Sequence, residues 1–133
     1  MSRPIKFRVW NSVDKKMSKP FTLDDFANDQ DGESGDGYYS LRSYSASPPV
    51  EFPVMQLTGL FDRNGKEYCQ GDWVKDEDGD VWELIYSEED AAFLLDDHAG
   101  RYLNFAEFTP ALYEIIGNIY ENPELLKDSP NGR

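Results

Sequence analysis

Residues 54–75 read VMQLTGLFDRNGKEYCQGDWVK, the densest combination of turn chemistry and apolar pattern in the chain. Val54–Leu57 is a short apolar run suited to a strand, and Gly59 is expected to break it. Asp62-Arg63-Asn64-Gly65 is a turn signal, because Asp favours the first turn position and Asn-Gly accepts positive φ at little cost. Gly71-Asp72 forms a second turn, after which Trp73-Val74-Lys75 opens another strand. Two turns in so short a span, each flanked by β-favouring residues, predict compact β-structure rather than helix.

Working outward, Ile5, Phe7 and Val9 alternate with Lys6, Arg8 and Trp10, which is the period of a strand. Asn11–Lys16 turns the chain toward a short partner strand near Met17, and Phe21–Phe26 is either one helical turn or an irregular apolar anchor. Residues 27–49 hold an Asp/Gly/Ser-rich half without apolar period, expected to be a flexible or inserted loop. The Tyr-rich half that follows, with Tyr38, Tyr39 and Tyr44, is either an edge strand or a partner-facing segment. On the other side, Val81–Tyr86 is a strong strand, and Ala91–Leu95 and Tyr102-Leu103 are shorter apolar runs. Acidic turns at 76–80, 87–90 and 96–100 separate them. Residues 105–112 form an irregular connection, and Glu114–Tyr120 is the last strand, with a bulge or close backbone approach at Gly117. Asn122 can cap a short helix whose first residue is Pro123 and whose Glu124 meets the positive end of the dipole. Residues 128–133 form a frayed tail.

The chain has 133 residues, the size of one domain with a real core. Its formal net charge of −13 opposes binding to nucleic-acid phosphates or to an anionic membrane surface. No run is long enough to span a bilayer, and MSRPIKFRVW lacks the apolar stretch of a signal peptide. The single cysteine cannot form an internal disulfide, which fits a reducing cytoplasm.

Catalytic and metal motifs are sparse. Cys69 and His98 could pair only if the fold joined them, and nothing around Cys69 in the sequence would activate its thiol. Asp29-x-Asp31-x-Glu33 and Asp76-x-Asp78-Gly79-Asp80 look like calcium loops, but that loop needs Gly at its sixth position and Glu at its twelfth. The first has Ser34 and Ser40 there, and the second Val81 and Ser87. One His and one Cys do not make a zinc site, and no phosphate loop or hydrolase elbow is present. No catalytic residue, metal or cofactor is therefore expected.

Acids are the conspicuous resource. Residues 72–97 hold eleven of them against one base, Lys75. In an extended strand Asp76, Asp78 and Asp80 would lie about 6.8 Å apart on one face, the spacing of two phosphate steps along one DNA strand. Gly79 favours a turn instead, and a solvated acidic rim that discourages edge aggregation is the simpler explanation.

Three segments carry a resemblance. TGLFDRNGKEYCQGDWVK at 58–75, IKFRVW at 5–10 and IIGNIYENPELL at 115–126 resemble the central, opening and closing motifs of the YopX family of phage and prophage proteins, in that order. The departures are Cys69 and the extended insert near residues 24–50. The matched Gly59, Gly65, Gly71, Asp72, Gly117, Asn122 and Pro123 are taken as fold determinants. The resemblance implies phage or prophage origin, an accessory role, homo-oligomeric assembly as an option, and no catalytic residues to carry over.

The expectation is a mainly β α+β protein, a small curled sheet or SH3-like barrel with short helical segments, one of them C-terminal. It forms a single domain over residues 1–133 and acts in the host cytoplasm as a non-enzymatic binder of a host or phage protein. The alternative is an acidic nucleic-acid mimic that inhibits a nucleic-acid-binding or anti-phage defence protein. The candidate partner-binding residues are Tyr38, Tyr39, Tyr44, Asp76, Asp78, Asp80, Glu88, Glu89 and Asp90.

Overall fold

A computed structural model describes residues 5–28, 42–43, 50–104 and 110–128. It is mainly β, as the alternation predicts. The chain divides into two compact units, Met1–Leu57 and Thr58–Arg133.

In the first unit, β1 (Phe7–Asn11) pairs antiparallel with β2 (Lys16–Met17) and, on its other side, with the start of β5 (Val54–Phe61). The Asn11 carboxamide accepts the Val13 and Asp14 amides and so closes the β1–β2 hairpin. Val9, Phe21 and Phe52 form a small core, with Phe7 packed against it. The FTLDDF segment resolves into helix α1 (Leu23–Asn28). Thr22 and Asp25 exchange side-chain-to-backbone hydrogen bonds of 3.1 and 3.0 Å, a reciprocal cap that satisfies two amides at the helix start. Within the Tyr-rich insert, β3 (Arg42–Ser43) pairs with β4 (Val50–Glu51).

The chain passes from one unit to the other inside β5, which continues through Gly59 instead of ending there. Gly59 takes φ +83°, and its N–H donates to a Glu67 carboxylate oxygen at 2.8 Å. A residue without Cβ absorbs the kink while a side chain satisfies its donor.

The second unit holds β6 (Glu67–Cys69), hydrogen-bonded to β5, and a curled five-stranded antiparallel sheet. The sheet is built from β7 (Asp72–Lys75), β8 (Val81–Ser87), β9 (Ala92–Asp96), β10 (Tyr102–Asn104) and β11 (Glu114–Asn118), in the order β10-β9-β8-β7-β11. One face carries Val74, Trp82, Leu84, Leu95 and Ile115, packed with Tyr68 into the main core and flanked by Phe93, Leu103 and Tyr113. Register fixes this face: Val74 opposes Trp82 and Ile115, and Leu84 opposes Leu95.

The expected bulge is present, because pairing of β11 with β7 shifts between Ile115 and Gly117. The C-terminal helix is a 3-10 segment, Pro123–Asp128. Asn122 does not cap it through its side chain. Its Oδ1 accepts from Asn118 N at 3.2 Å, while its backbone carbonyl accepts from Leu125 N and from the Trp73 indole N–H. This back-turn presses Asn122 and Leu125 against Gly117, where a Cβ would collide with both side chains.

Gly117→Ala is therefore expected to lower stability by about 1–3 kcal/mol, as overpacking does elsewhere. A reduced denaturant midpoint with an unchanged slope, together with altered fluorescence of the now loosened Trp73, checks this.

Candidate functional site

Three loops of the second unit share one design: Asp62-Arg63-Asn64-Gly65-Lys66, Asp76-Glu77-Asp78-Gly79-Asp80 and Asp97-His98-Ala99-Gly100-Arg101. In each, the Asp Oδ1 accepts the amides two and four residues on, at 2.8–2.9 Å. In each, the Asp N–H also donates to the carbonyl of the fifth residue. The glycines take φ of +83°, +89° and +101°, and nothing lies within 4 Å of where a Cβ would sit. Their requirement is conformational, not steric.

The second carboxylate oxygen of each Asp does something different. Asp62 Oδ2 accepts Ile115 N at 2.9 Å, across 53 residues of chain. Asp76 Oδ2 accepts the Trp82 indole N–H at 3.0 Å. Asp97 Oδ2 takes Arg101 Nε at 2.7 Å. The Arg101 guanidinium also lies 3.6 Å from Asp80 and 4.9 Å from the Trp82 ring centre, so it clasps the β7–β8 and β9–β10 loops together. Burial opposes the charge on Asp97, but the Arg101 side chain and the Arg101 and Ala99 amides outweigh it and hold the pKa down at about 2. Burial likewise opposes ionisation of Asp62, and the Ile115, Lys66 and Asn64 amides overcome it.

These contacts rearrange the predicted site. Asp76, Asp78 and Asp80 do not form an extended ladder: they sit in a tight loop, and the Asp76 carboxylate turns inward. Glu88, Glu89 and Asp90 form the exposed β8–β9 hairpin tip, where Asp90 bonds with Ser87. The two acidic groups lie at opposite ends of β8, roughly 20 Å apart for a seven-residue strand. Beside the tip, Tyr86 meets Phe93 edge-on, with ring centres 5.4 Å apart. Tyr38, Tyr39 and Tyr44 lie outside the described residues.

Cys69 and His98 do not combine. Cys69 is fully buried and its amide donates to Asp72 Oδ2 at 2.7 Å. His98, at φ +59°, places Nε2 2.7 Å from Glu83 Oε1 and its ring edge-on to Trp73. Among the described residues, no group of three or more His, Cys, Asp or Glu side chains could hold a metal ion.

Sequence reasoning missed the Asp62 and Asp97 hubs. Their signal was the recurring D-x-x-G-x pentad, which has no constant spacing and so does not register as a repeat. It also missed an open groove of about 480 Å³ lined by Arg63, Glu77, Ala111 and Leu112, for which the sequence carries no signal.

The family model described as YopX protein matches residues 6–127. The chain belongs to the YopX family. That span contains the central and closing segments singled out above, all of the opening one but Ile5, and each of the three Asp-anchored loops. Among solved structures, this member of the family is similar to protein EF1440 from Enterococcus faecalis, with 23% identity and a TM-score of 0.52, covering 94% of this chain and 99% of that one. The likeness is one of fold. No curated protein matches the chain. No helix among the described residues is long and apolar enough to cross a membrane.

Asp97→Asn keeps an oxygen for the loop amides but turns an amide toward Arg101. At neutral pH it should cost about 1–3 kcal/mol, the scale of a broken charge-assisted bond. Because the folded pKa is depressed, this contribution is complete above about pH 4 and disappears as pH falls toward 2. Denaturant melts of both proteins across that range should therefore converge at the acid end.

Proposed function

We propose that this protein is a non-enzymatic phage or prophage accessory factor that binds a host or phage protein in the host cytoplasm. The observation that carries this reading is the β8–β9 tip. Tyr86, 42% exposed, meets Phe93 edge-on beside exposed Glu88, Glu89 and Asp90. Among the described residues the Glu88 and Glu89 carboxylates have no bonded partner, unlike those of Asp62, Asp76 and Asp97. An aromatic pair framed by unused acids suits a partner surface with basic groups around an apolar centre.

The second reading, an acidic mimic that occupies a nucleic-acid-binding or defence protein, draws on the same carboxylates. Glu77 and Asp78 stand exposed at one end of β8, and Glu88 and Glu89 at the other. A mimic would engage both clusters at once, whereas a tip-centred binder needs one.

The test is affinity capture from host lysate at low and high salt, with the wild-type chain, Glu88→Lys/Glu89→Lys and Glu77→Lys/Asp78→Lys. None of the four substituted side chains takes part in the Asp-anchored hydrogen bonds, so the fold should persist. Loss of at least tenfold of the captured partner with the first variant alone is expected. Equal loss with both variants and at high salt would favour the mimic, and full retention by both would exclude either reading.

A further inference from the structure

In the loops at 62–66 and 76–80, the first residue supplies the carboxylate, the third and fifth supply amides, and the fourth supplies positive φ. The second residue contributes no side chain to either loop. In one loop that residue is Arg63 and in the other Glu77, and both point into the same groove of about 480 Å³. The Arg63 amide donates to Tyr113 O at 2.9 Å, which fixes where its side chain starts. Ala111 and Leu112, from the short 3-10 turn at Pro110–Leu112, line the same groove. Leu112 is 49% exposed.

Opposite charges in one groove would ordinarily close into an ion pair. These do not: neither is ion-paired with another described residue, and each rises from its own hydrogen-bonded loop. A ligand that matches them has no internal pair to break. The guanidinium offers a planar fork to a carboxylate, and the Glu77 carboxylate offers an acceptor to an ammonium. The exposed leucine adds an apolar contact in the same groove.

We propose that this groove docks an extended peptide segment of a partner protein, one that presents an acidic, a basic and an apolar side chain together. The groove is open, so a chain can run through it, and its volume lies in the range of ligand sites. Alternate residues of an extended segment share one side, so the three contacting side chains belong at every second position. This site is distinct from the β8–β9 tip and lies at the other end of β8.

The probe is the capped peptide acetyl-Asp-Ser-Leu-Ser-Lys-amide, titrated into the 15N-labelled full chain and followed by amide shifts. The controls are acetyl-Asp-Ser-Leu-Ser-Asp-amide, acetyl-Lys-Ser-Leu-Ser-Lys-amide and free lysine. Saturable shifts confined to residues 62–66, 76–80 and 111–112 are expected, with affinity at least threefold above every control. Arg63→Glu and Glu77→Lys should each remove that advantage, as should the gentler Arg63→Gln and Glu77→Gln if the charge reversals perturb the spectrum. Glu88→Lys/Glu89→Lys should leave the titration unchanged, which separates this site from the tip. Absence of localised shifts at millimolar peptide, equal response to all three peptides, or an equal response to free lysine would overturn the proposal.

Discussion

A carboxylate that collects backbone N–H groups is the interaction on which the second unit depends. Asp62 is the fullest case. One of its oxygens closes the loop between β5 and β6, and the other takes the Ile115 amide of β11. A buried charge is costly unless donors surround it, and here three amides do so. The same carboxylate raises the pKa of the neighbouring Tyr68 phenol, whose burial is the larger cause. The central motif and the closing strand are thus joined through a side chain, in addition to their packing in one core.

The strongly acidic composition takes on a different meaning in that light. Asp62, Asp72 and Asp97 are buried and bonded to backbone or to arginine. Asp76 holds the Trp82 indole, Glu83 holds His98, and Asp80 lies against Arg101. Much of the negative charge in residues 72–97 is therefore structural. What remains for a partner is the smaller set that the loops leave outside, Glu77 and Asp78 at one end of β8 and Glu88 and Glu89 at the other.

The two buried tryptophans of the sheet follow a parallel logic. Each fills one face with a large apolar ring and sends its N–H to a polar acceptor near an element end: Trp73 to the Asn122 carbonyl, Trp82 to the Asp76 carboxylate. The first draws the chain after β11 back over the sheet beside Gly117. The second ties the β7–β8 loop to the core beneath it. Packing and polar satisfaction are met by the same side chains, so the sheet has one register in which both succeed.

Much of this could be read before folding was considered. Alternation in IKFRVW and VWELIY marks β1 and β8, the Asn-Gly and Asp-Gly pairs mark hairpins, and Gly117 marks the bulge, because each depends on local geometry that a few neighbouring residues impose. Local rules erred where a distant group competed. Gly59 did not end β5, since Glu67 satisfied its amide, and the Asn122 side chain turned to Asn118 instead of to the helix start. The direction of the Asp62 carboxylate toward Ile115, the parting of the acids to opposite ends of β8, and the meeting of Arg63, Glu77 and Leu112 in one groove belong to the folded chain alone. Each joins residues far apart in sequence, and no local preference encodes which of many available carboxylates or cations will arrive at a given place.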